Sequence, residues 1–484
     1  MHIIKMEASN QIIVTITVCL CFASLPLNIL AKTYILDPQH LPSPYPDLNC
    51  SYNDKPNQAA GIMFNIKENK IGPGDTIKIL PGTILLDGPL FVCPRLTVLG
   101  TMGSDGSKQS KLKRLSSWAG NPDNSYLVWL WDGTWTPRKI AKGANIGLLS
   151  SPEGSGPTTP KVTVADLLFE GNDSTDADIR PAINKEPQLS LLFLGGDSIT
   201  VRNCELKHSL FMGMRLQGGQ GIQVFGCRVD NTARDGIFIG GTRDLLVAGN
   251  VITRTRDNAI GFDCANVREK WTGPLVHGGK KSLITGNTID NHSVGCYVFT
   301  GKPVKGYNTP SLVDPKWPNT FYASVGIMVT SNSVTATAPE SVSVANNTII
   351  SSWRHGIMVD AACSHVTISN NKVIDGKQTG NHGICINGED SYIVVEGNEV
   401  VNPGYYGIVV GPNCKFITIR DNKVHGATHE GIMVERCPDD AGTGKEFSGI
   451  TLQRNKATGN GRAGIRVMGS VGCALTDNVV DSIH

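Results

Sequence analysis

From about residue 200 onward two short patterns alternate along the chain, and a sequence that repeats itself in this way has few folds open to it. The first is an apolar alternation running into Asn and on into further apolar residues, as in SITVRNCEL, LLVAGNVIT, SVSVANNTII and FITIRDNKVH. The second is a short apolar strand usually opened by Gly: GMRL, GIFI, AIGF, GCYV, GIMV, GICI, GIVV, GIRV. The key position of the first pattern reads as Asn203, Cys227, Asn250, Asn287, Asn347, Asn371, Asn398, Asn422, Asn455 and Asn478. A Gly or Ala follows, at Gly213, Gly236, Ala259, Gly295, Gly356, Gly383, Gly407, Gly431 and Gly464. Repeats without insertions advance by about 23 to 27 residues.

Each unit holds two or three short strands of period-2 alternation and no window long enough for a helical stripe. One such strand cannot bury its apolar face alone. Coiling the chain so that every strand pairs in parallel with its counterpart one turn on buries all inward side chains in one column. The expected fold is therefore all-β, a right-handed parallel β-helix solenoid of ten or more coils, the hand following the crossover rule. The recurrent Asn reads as a ladder at a bend, since a buried turn must satisfy its polar groups. A β-propeller needs four strands per ~40 residues and leucine-rich repeats need their Leu frame, and neither fits.

The repeat resembles the right-handed parallel β-helix (pectin-lyase-like) superfamily over roughly residues 70 to 484. Gly74-Asp75-Thr76-Ile77-Lys78-Ile79-Leu80-Pro81-Gly82-Thr83 is similar to that superfamily's opening coil. Residues 71–484 are read as the β-helix and 32–70 as its cap. The last repeat runs to His484 with no visible capping segment, which predicts an end that is incomplete or covered by a partner, in a monomer or a homotrimer. Insertions at 101–162, 265–280, 300–324 and 437–447 leave mostly from one edge. They are expected to wall a groove there, with Trp271 and Trp317 placed to stack on sugar rings.

Lys5 precedes a mostly apolar run from Ile12 to Leu30, and no charge falls between Glu7 and Lys32. Residues 1–31 are read as a secretory signal peptide rather than an anchor, because Pro26 and Asn28 interrupt the run. The mature chain is then expected outside the cell or in a periplasm, with no membrane association after cleavage. A net charge of +2 gives no support to a nucleic-acid partner. Eleven cysteines remain after Cys19 and Cys21 leave, of which Cys50 and Cys93 are the pair to test for a disulfide. There is no CxxC, so zinc has little support. Asn49, Asn172, Asn291 and Asn346 begin N-x-S/T sequons.

Residues just ahead of the Gly-type strands would stack about 4.8 Å apart from coil to coil. They collect Arg, His, Asp and Tyr where a merely solvated surface would favour Lys and Glu. One cluster is Arg354, His355, Asp360 and His382, followed by Tyr405, Tyr406, His429, Glu430 and, after its strand, Arg436. Removing a proton α to a uronate carboxylate needs a base and a cation to hold the carboxylate. Arg354 fits the cation, His355 or His382 the base, and a Tyr the donor to a leaving oxygen. The other cluster is Arg234, Asp235, Arg256, Asp257 and Asp263, where Asp235 and Asp257 fall on adjacent coils, as an acid and a base on one sugar would.

Asp235 and Asp257 are similar, in strand register, to the catalytic Asp positions of polygalacturonase-type glycosidases, although Asn258 stands where their second paired Asp would. Ile260-Gly261-Phe262-Asp263 resembles the "YGFDPHD" strand of mannuronan C5-epimerases. The sequence marks out no certain cofactor, and Ca²⁺ is a candidate ion for Asp235, Asp257 and Asp263. The function expected is a polysaccharide lyase or C5-epimerase acting on an acidic glycan. The alternatives are a glycoside hydrolase using Asp235 and Asp257, or a non-catalytic carbohydrate-binding or adhesion β-helix.

Overall fold

The computed structural model describes residues 31–38, 72–86, 90–92, 95–114, 127–131, 135–139, 145–150, 161–171, 188–209, 211–217, 219–264, 281–291, 298–300, 320–322, 325–331, 341–352, 354–374, 382–435, 449–468 and 472–481. From Thr33 onward they form three long parallel sheets. Sheet A has 14 strands, from Thr33–Leu36 to Cys473–Thr476. Sheet B has 13, from Gly82–Leu86 to Val479–Val480, and sheet C has 12, from Leu90–Phe91 to Ile465–Val467. Through the repeats the chain visits A, B and C in turn, and each strand pairs with the one a coil further on, as the repeat predicts.

The alternation of the sequence becomes inside and outside. In sheet A Val344, Ile368, Val395, Ile419 and Leu452 are fully buried, and in sheet C so are Ile327, Ile357, Ile384, Ile408 and Ile432. These columns, with their sheet B counterparts, merge into one continuous apolar core. A single strand has no such core, so the stability of each coil depends on its neighbours.

The bend from sheet A to sheet B takes two residues with distinct tasks. The first adopts left-handed backbone, with φ between 51° and 65° at Asn203, Gly226, Gly249, Gly286, Asn346, Asn370, Gly397 and Asp421. Gly, Asn and Asp are the residues that tolerate that region. The second residue turns inward and forms the ladder. Asn371 is typical: its Oδ1 accepts from Asn347 N at 3.0 Å and Asn347 Nδ2 at 2.9 Å, while its Nδ2 donates to Val344 O at 2.8 Å and Asn398 Oδ1 at 3.0 Å. The ladder runs unbroken from Asn250 to Asn478. Asn203 is not part of it, contrary to the sequence reading. Register with Cys227 belongs to Cys204, and Asn203 is the left-handed residue before it. The buried thiols of Cys204 and Cys227 donate instead to the carbonyls of Val164 and Val201.

The Gly that opens each sheet C strand is imposed by crowding. A Cβ at Gly356 would sit 2.4 Å from Val373 Cγ1 and 2.6 Å from Gly383 O, and one at Gly407 would sit 2.2 Å from Val424 Cγ1. One register expectation fails here. Of the GCYV segment at Gly295 only Val298 lies among the described residues, and Val298–Thr300 pairs antiparallel with Thr320–Tyr322. The sheet C strand of that coil is Val325–Thr330, pairing with Ile260–Asp263 and His355–Asp360. Its GIMV carries the same pattern one insertion later, so local sequence fitted two segments and the core accepted one. A further left-handed position, at the entry to sheet A, carries the exposed ring stack of His365, Tyr392 and Phe416, with centroids 5.0 and 4.7 Å apart. Among the described residues no helix is long and apolar enough to cross a membrane.

Candidate functional site

The parallel register of sheet C turns scattered sequence positions into two rows along its leading edge. Two residues before the first inward Ile of each strand stand Asp235, Asn258, Val325, His355, His382, Tyr406, Glu430 and Ala463. This row is largely buried: Asp235 and Glu430 are each 1% exposed and His355 4%. One residue earlier lies a more open row of Arg234, Asp257, Arg354, Tyr405, His429 and Arg462, of which only Asp257 is buried. Coils are about 4.8 Å apart, so both rows form a continuous track.

The middle of the track is an imidazole–phenol stack. The rings of His355 and His382 lie 4.9 Å apart at 17°, and those of His382 and Tyr406 lie 5.1 Å apart at 14°. Tyr405 tilts outward, 5.5 Å from His382 and 3.8 Å from His429. Burial, and then the Arg354 guanidinium, push His382 down to about 3. Burial, His382 and Arg354 hold His355 well below the usual imidazole range. Both rings are therefore neutral near pH 7. The backbone N–H of Tyr406 points at His382 Nδ1 at 3.4 Å, which leaves the proton of the neutral ring on Nε2. Burial raises Tyr406, with Tyr405 adding to the effect. Asp360 sits at the far end of the strand that His355 opens, accepts from Asn387 Nδ2 at 3.2 Å and is raised by burial. The sequence placed it with His355, and the structure puts the length of a strand between them.

Two and three coils before His355 lies the carboxylate cluster. Arg234 Nε is 3.1 Å from Asp257 Oδ2 and 3.4 Å from Asp235 Oδ2. Asn258, in register with Asp235, donates to its Oδ1 at 2.8 Å. Burial, and then the Asp235 charge, raise Asp257 to about 7 against the pull of Arg234. Asp235 is also raised by burial. The two carboxylates are thus close enough to share one sugar ring, as the sequence suggested, but diagonally, with a guanidinium against both. Arg256 turns away to Asn231 Oδ1 at 2.8 Å. Asp263 lies at the opposite end of its strand. Among the described residues no three His, Cys, Asp or Glu side chains are arranged to hold a metal, so Asp235, Asp257 and Asp263 do not build the Ca²⁺ site considered above.

Sequence reasoning missed Arg466, which faces outward from the next coil and pairs with Glu430 Oε1 at 3.1 Å. It also missed Arg215, fully buried, with its guanidinium 5.3 Å from the Phe238 ring. The outward face of sheet C is apolar rather than polar, with Met358, Cys385, Val409 and Met433 all buried, and the track runs along its border. Alternating Gly-x-x-x strands could have signalled this, since both faces of GIMV and GIVV are apolar. Arg436, Trp271, Trp317, Cys50, Cys93 and residues 1–30 lie outside the described residues.

Comparison with known proteins agrees with this architecture. A family profile described as "Right handed beta helix region" matches residues 172–309 and 271–416. A second, described as the periplasmic copper-binding protein NosD, matches 381–483. No curated protein matches the sequence. Among solved structures, the mannuronan C-5 epimerase AlgE6 A-module of Azotobacter vinelandii is 12% identical, with 87% of this chain and 95% of that one covered at a TM-score of 0.54. The periplasmic alginate epimerase AlgG is 11% identical over 87% and 88%, at 0.53. The catalytic unit of a GH87 α-1,3-glucanase from Streptomyces thermodiastaticus is 15% identical over 89% and 67%, at 0.50. Identities this low speak to fold. The two overlapping profile matches run from 172 to 416, half of the 484 residues, and the three-sheet column is theirs throughout; the chain belongs to the right-handed parallel β-helix (pectin-lyase-like) superfamily.

Proposed function

We propose that the chain is an exported enzyme acting on an acidic polysaccharide, removing the proton α to a uronate carboxylate as a lyase or C5-epimerase. The observation that carries this reading is the neutral imidazole–tyrosine stack of His382, Tyr405 and Tyr406 beside Arg354. Arg354 binds the carboxylate and takes the charge that develops on it. His382, already neutral with its proton on Nε2, donates Nε2–H to the enolate, and His355 packs behind it to hold the ring in place. Tyr405, half-buried, is the donor to a leaving oxygen or to the opposite face of the carbon. Two of the fold relatives are alginate epimerases by name, and their chemistry is of this class.

Incubation with a panel of uronate polymers is the test, read by ultraviolet absorbance for unsaturated ends and by proton NMR for epimerised units. Activity is expected on at least one polymer, with kcat/KM falling by about 10² or more in Arg354→Ala. Silence by both readouts, with binding retained, would instead identify a carbohydrate-binding β-helix.

A second reading rests on Asp257, the carboxyl raised to about 7 next to Asp235. A protonated Asp257 and an ionised Asp235 would serve as acid and base or nucleophile of a glycoside hydrolase. New reducing ends without unsaturation, abolished in Asp257→Asn, would favour it.

A further inference from the structure

Beyond Tyr405 the track carries a buried acid that the chemistry above leaves unused. Glu430 is 1% exposed, and its Oε1 is held by Arg466 from the next coil. Its Oε2 has no hydrogen-bond partner, and neither has His429 Nδ1, yet the two atoms face each other at 3.9 Å. Two unmet polar atoms side by side cost free energy that the Asn ladder elsewhere avoids. Their approach becomes a charge-assisted hydrogen bond once the imidazole gains a proton, and such contacts are commonly long before substrate arrives. The array is also nearly symmetrical about Tyr405: His382 lies one coil before it and His429 one coil after, with Arg354 and Arg462 outermost.

We propose that His429, backed by Glu430, is a proton-transfer residue of the site, and that Glu430 is a positioning residue fixed by Arg466. This rests on the uronate reading. With its own proton on Nδ1, toward Glu430, His429 presents Nε2 as the base. Nε2 takes the hydrogen α to the carboxylate of a uronate lying at this end of the track, and the C–H electron pair passes into that carboxylate as an enolate, with the Arg462 guanidinium, the counterpart here of Arg354, taking the added charge. The enolate is then reprotonated on its other face by the Tyr405 hydroxyl, which epimerises the carbon. In the lyase variant it expels the oxygen on the β-carbon, which leaves with the Tyr405 hydroxyl proton.

Five groups face the His429 ring: Tyr405 at 3.8 Å and Tyr406 at 6.0 Å, Glu430 beside it, Arg462 from the next coil, and His382 from two coils before, while Arg466 pairs with Glu430. Burial and Arg462 lower it, and Glu430 alone among these causes raises it.

The test joins kinetics to a titration that needs no substrate. His429→Gln, at a half-buried position, is expected to lower kcat by ~10²–10⁴ with little change in KM. In Glu430→Gln the acid limb of kcat/KM should move to lower pH by about one unit, because the amide no longer favours imidazolium. The His429 ring, followed by ¹⁵N NMR in histidine-labelled full-length protein, should shift by the same amount. A His429→Gln enzyme keeping more than about a tenth of native kcat overturns the proposal, since general-base loss costs far more. An unmoved ring titration in Glu430→Gln overturns it as well. If the native chain yields neither product from any uronate polymer, the functional reading itself fails, and the ring titration separates that failure from one of the dyad.

Discussion

Replacing Asn371 by Ala tests whether the ladder stabilises the column or merely decorates its bend. Asn371 is 1% exposed, so water does not replace its amide. The substitution removes four side-chain hydrogen bonds, to Asn347 N and Nδ2, Val344 O and Asn398 Oδ1. Asn398 Oδ1 keeps the backbone N–H of residue 371 at 2.9 Å, so it is not orphaned. The Asn347 N–H does lose its partner, as does one hydrogen of the Asn347 amide, while the Val344 carbonyl keeps its place in the parallel ladder with the next strand. At ~1–3 kcal/mol for each buried group left unmet, the loss is about 4 kcal/mol. Asn478 makes three of these four bonds at the end of the ladder but is partly exposed, so Asn478→Ala should cost under about 1 kcal/mol. A long repeat array does not unfold in two states, which makes native-state hydrogen exchange the suitable assay. Amides around Asn347 should exchange roughly 10³-fold faster in Asn371→Ala, at 1.4 kcal/mol per decade. Equal effects for Asn371→Ala and Asn478→Ala would show that the ladder's bonds are no better than those to water.

Two further predictions concern the scaffold. Gly356→Ala places a Cβ 2.4 Å from Val373 Cγ1 and should destabilise its coil by about 3 kcal/mol, whereas Gly249→Ala, at φ 62° with open space around it, should cost ~1 kcal/mol. Comparable losses, measured by the same exchange assay, would remove crowding as the reason for the Gly column. Asp390 is wholly buried, accepts from Cys363 N at 2.7 Å and is raised by burial to about 8. The unfolded carboxyl titrates near 3.9, so the folded chain binds the extra proton between these values, and stability falls as pH rises from about 4 to 8. Asp390→Asn keeps the acceptor and should flatten that fall, gaining on the order of 2–4 kcal/mol at pH 8 and nothing at pH 4. A chemical-denaturation series at both pH values that moved in parallel would contradict this.

The solenoid was legible because its determinants are local and repeated: alternation, a left-handed bend residue and a Gly, or Ala259, at the close approach recur from coil to coil among the described residues. The errors came where two neighbouring residues could exchange those tasks. Asn203 has the identity of a ladder residue, but the polypeptide uses it for its backbone and gives the ladder position to Cys204. GCYV and GIMV are equivalent as strings, and only pairing with Ile260–Asp263 on one side and His355–Asp360 on the other separates them. The site was legible as a line, since register follows from the repeat. Its depth was not. Nothing in the sequence says that His355 and Glu430 lie beneath an open row of Arg354, Tyr405, His429 and Arg462, or that Arg466 reaches back to Glu430.

That division into two rows carries the functional argument further than residue types do. Along the described Asn ladder every amide passes its hydrogen bond to the next coil, so the column can satisfy its buried polar atoms when stability is all that matters. The leading edge of sheet C departs from this, leaving Asp235 Oδ2, His355 Nδ1, His429 Nδ1 and Glu430 Oε2 buried without hydrogen-bond partners. A scaffold that satisfies eight successive Asn side chains in this way and leaves these four atoms unmet along one border is holding polar groups there at a cost. Unmet donors and acceptors in a row of Asp, His and Glu, bordered by guanidinium groups on the open side, are what an anionic, hydroxyl-rich polymer would complete. An adhesion surface would need the open row alone, since contact stops at exposed atoms. The buried row lies one residue behind the open one, and in the function proposed above its acids and imidazoles act on what the open row holds by moving protons.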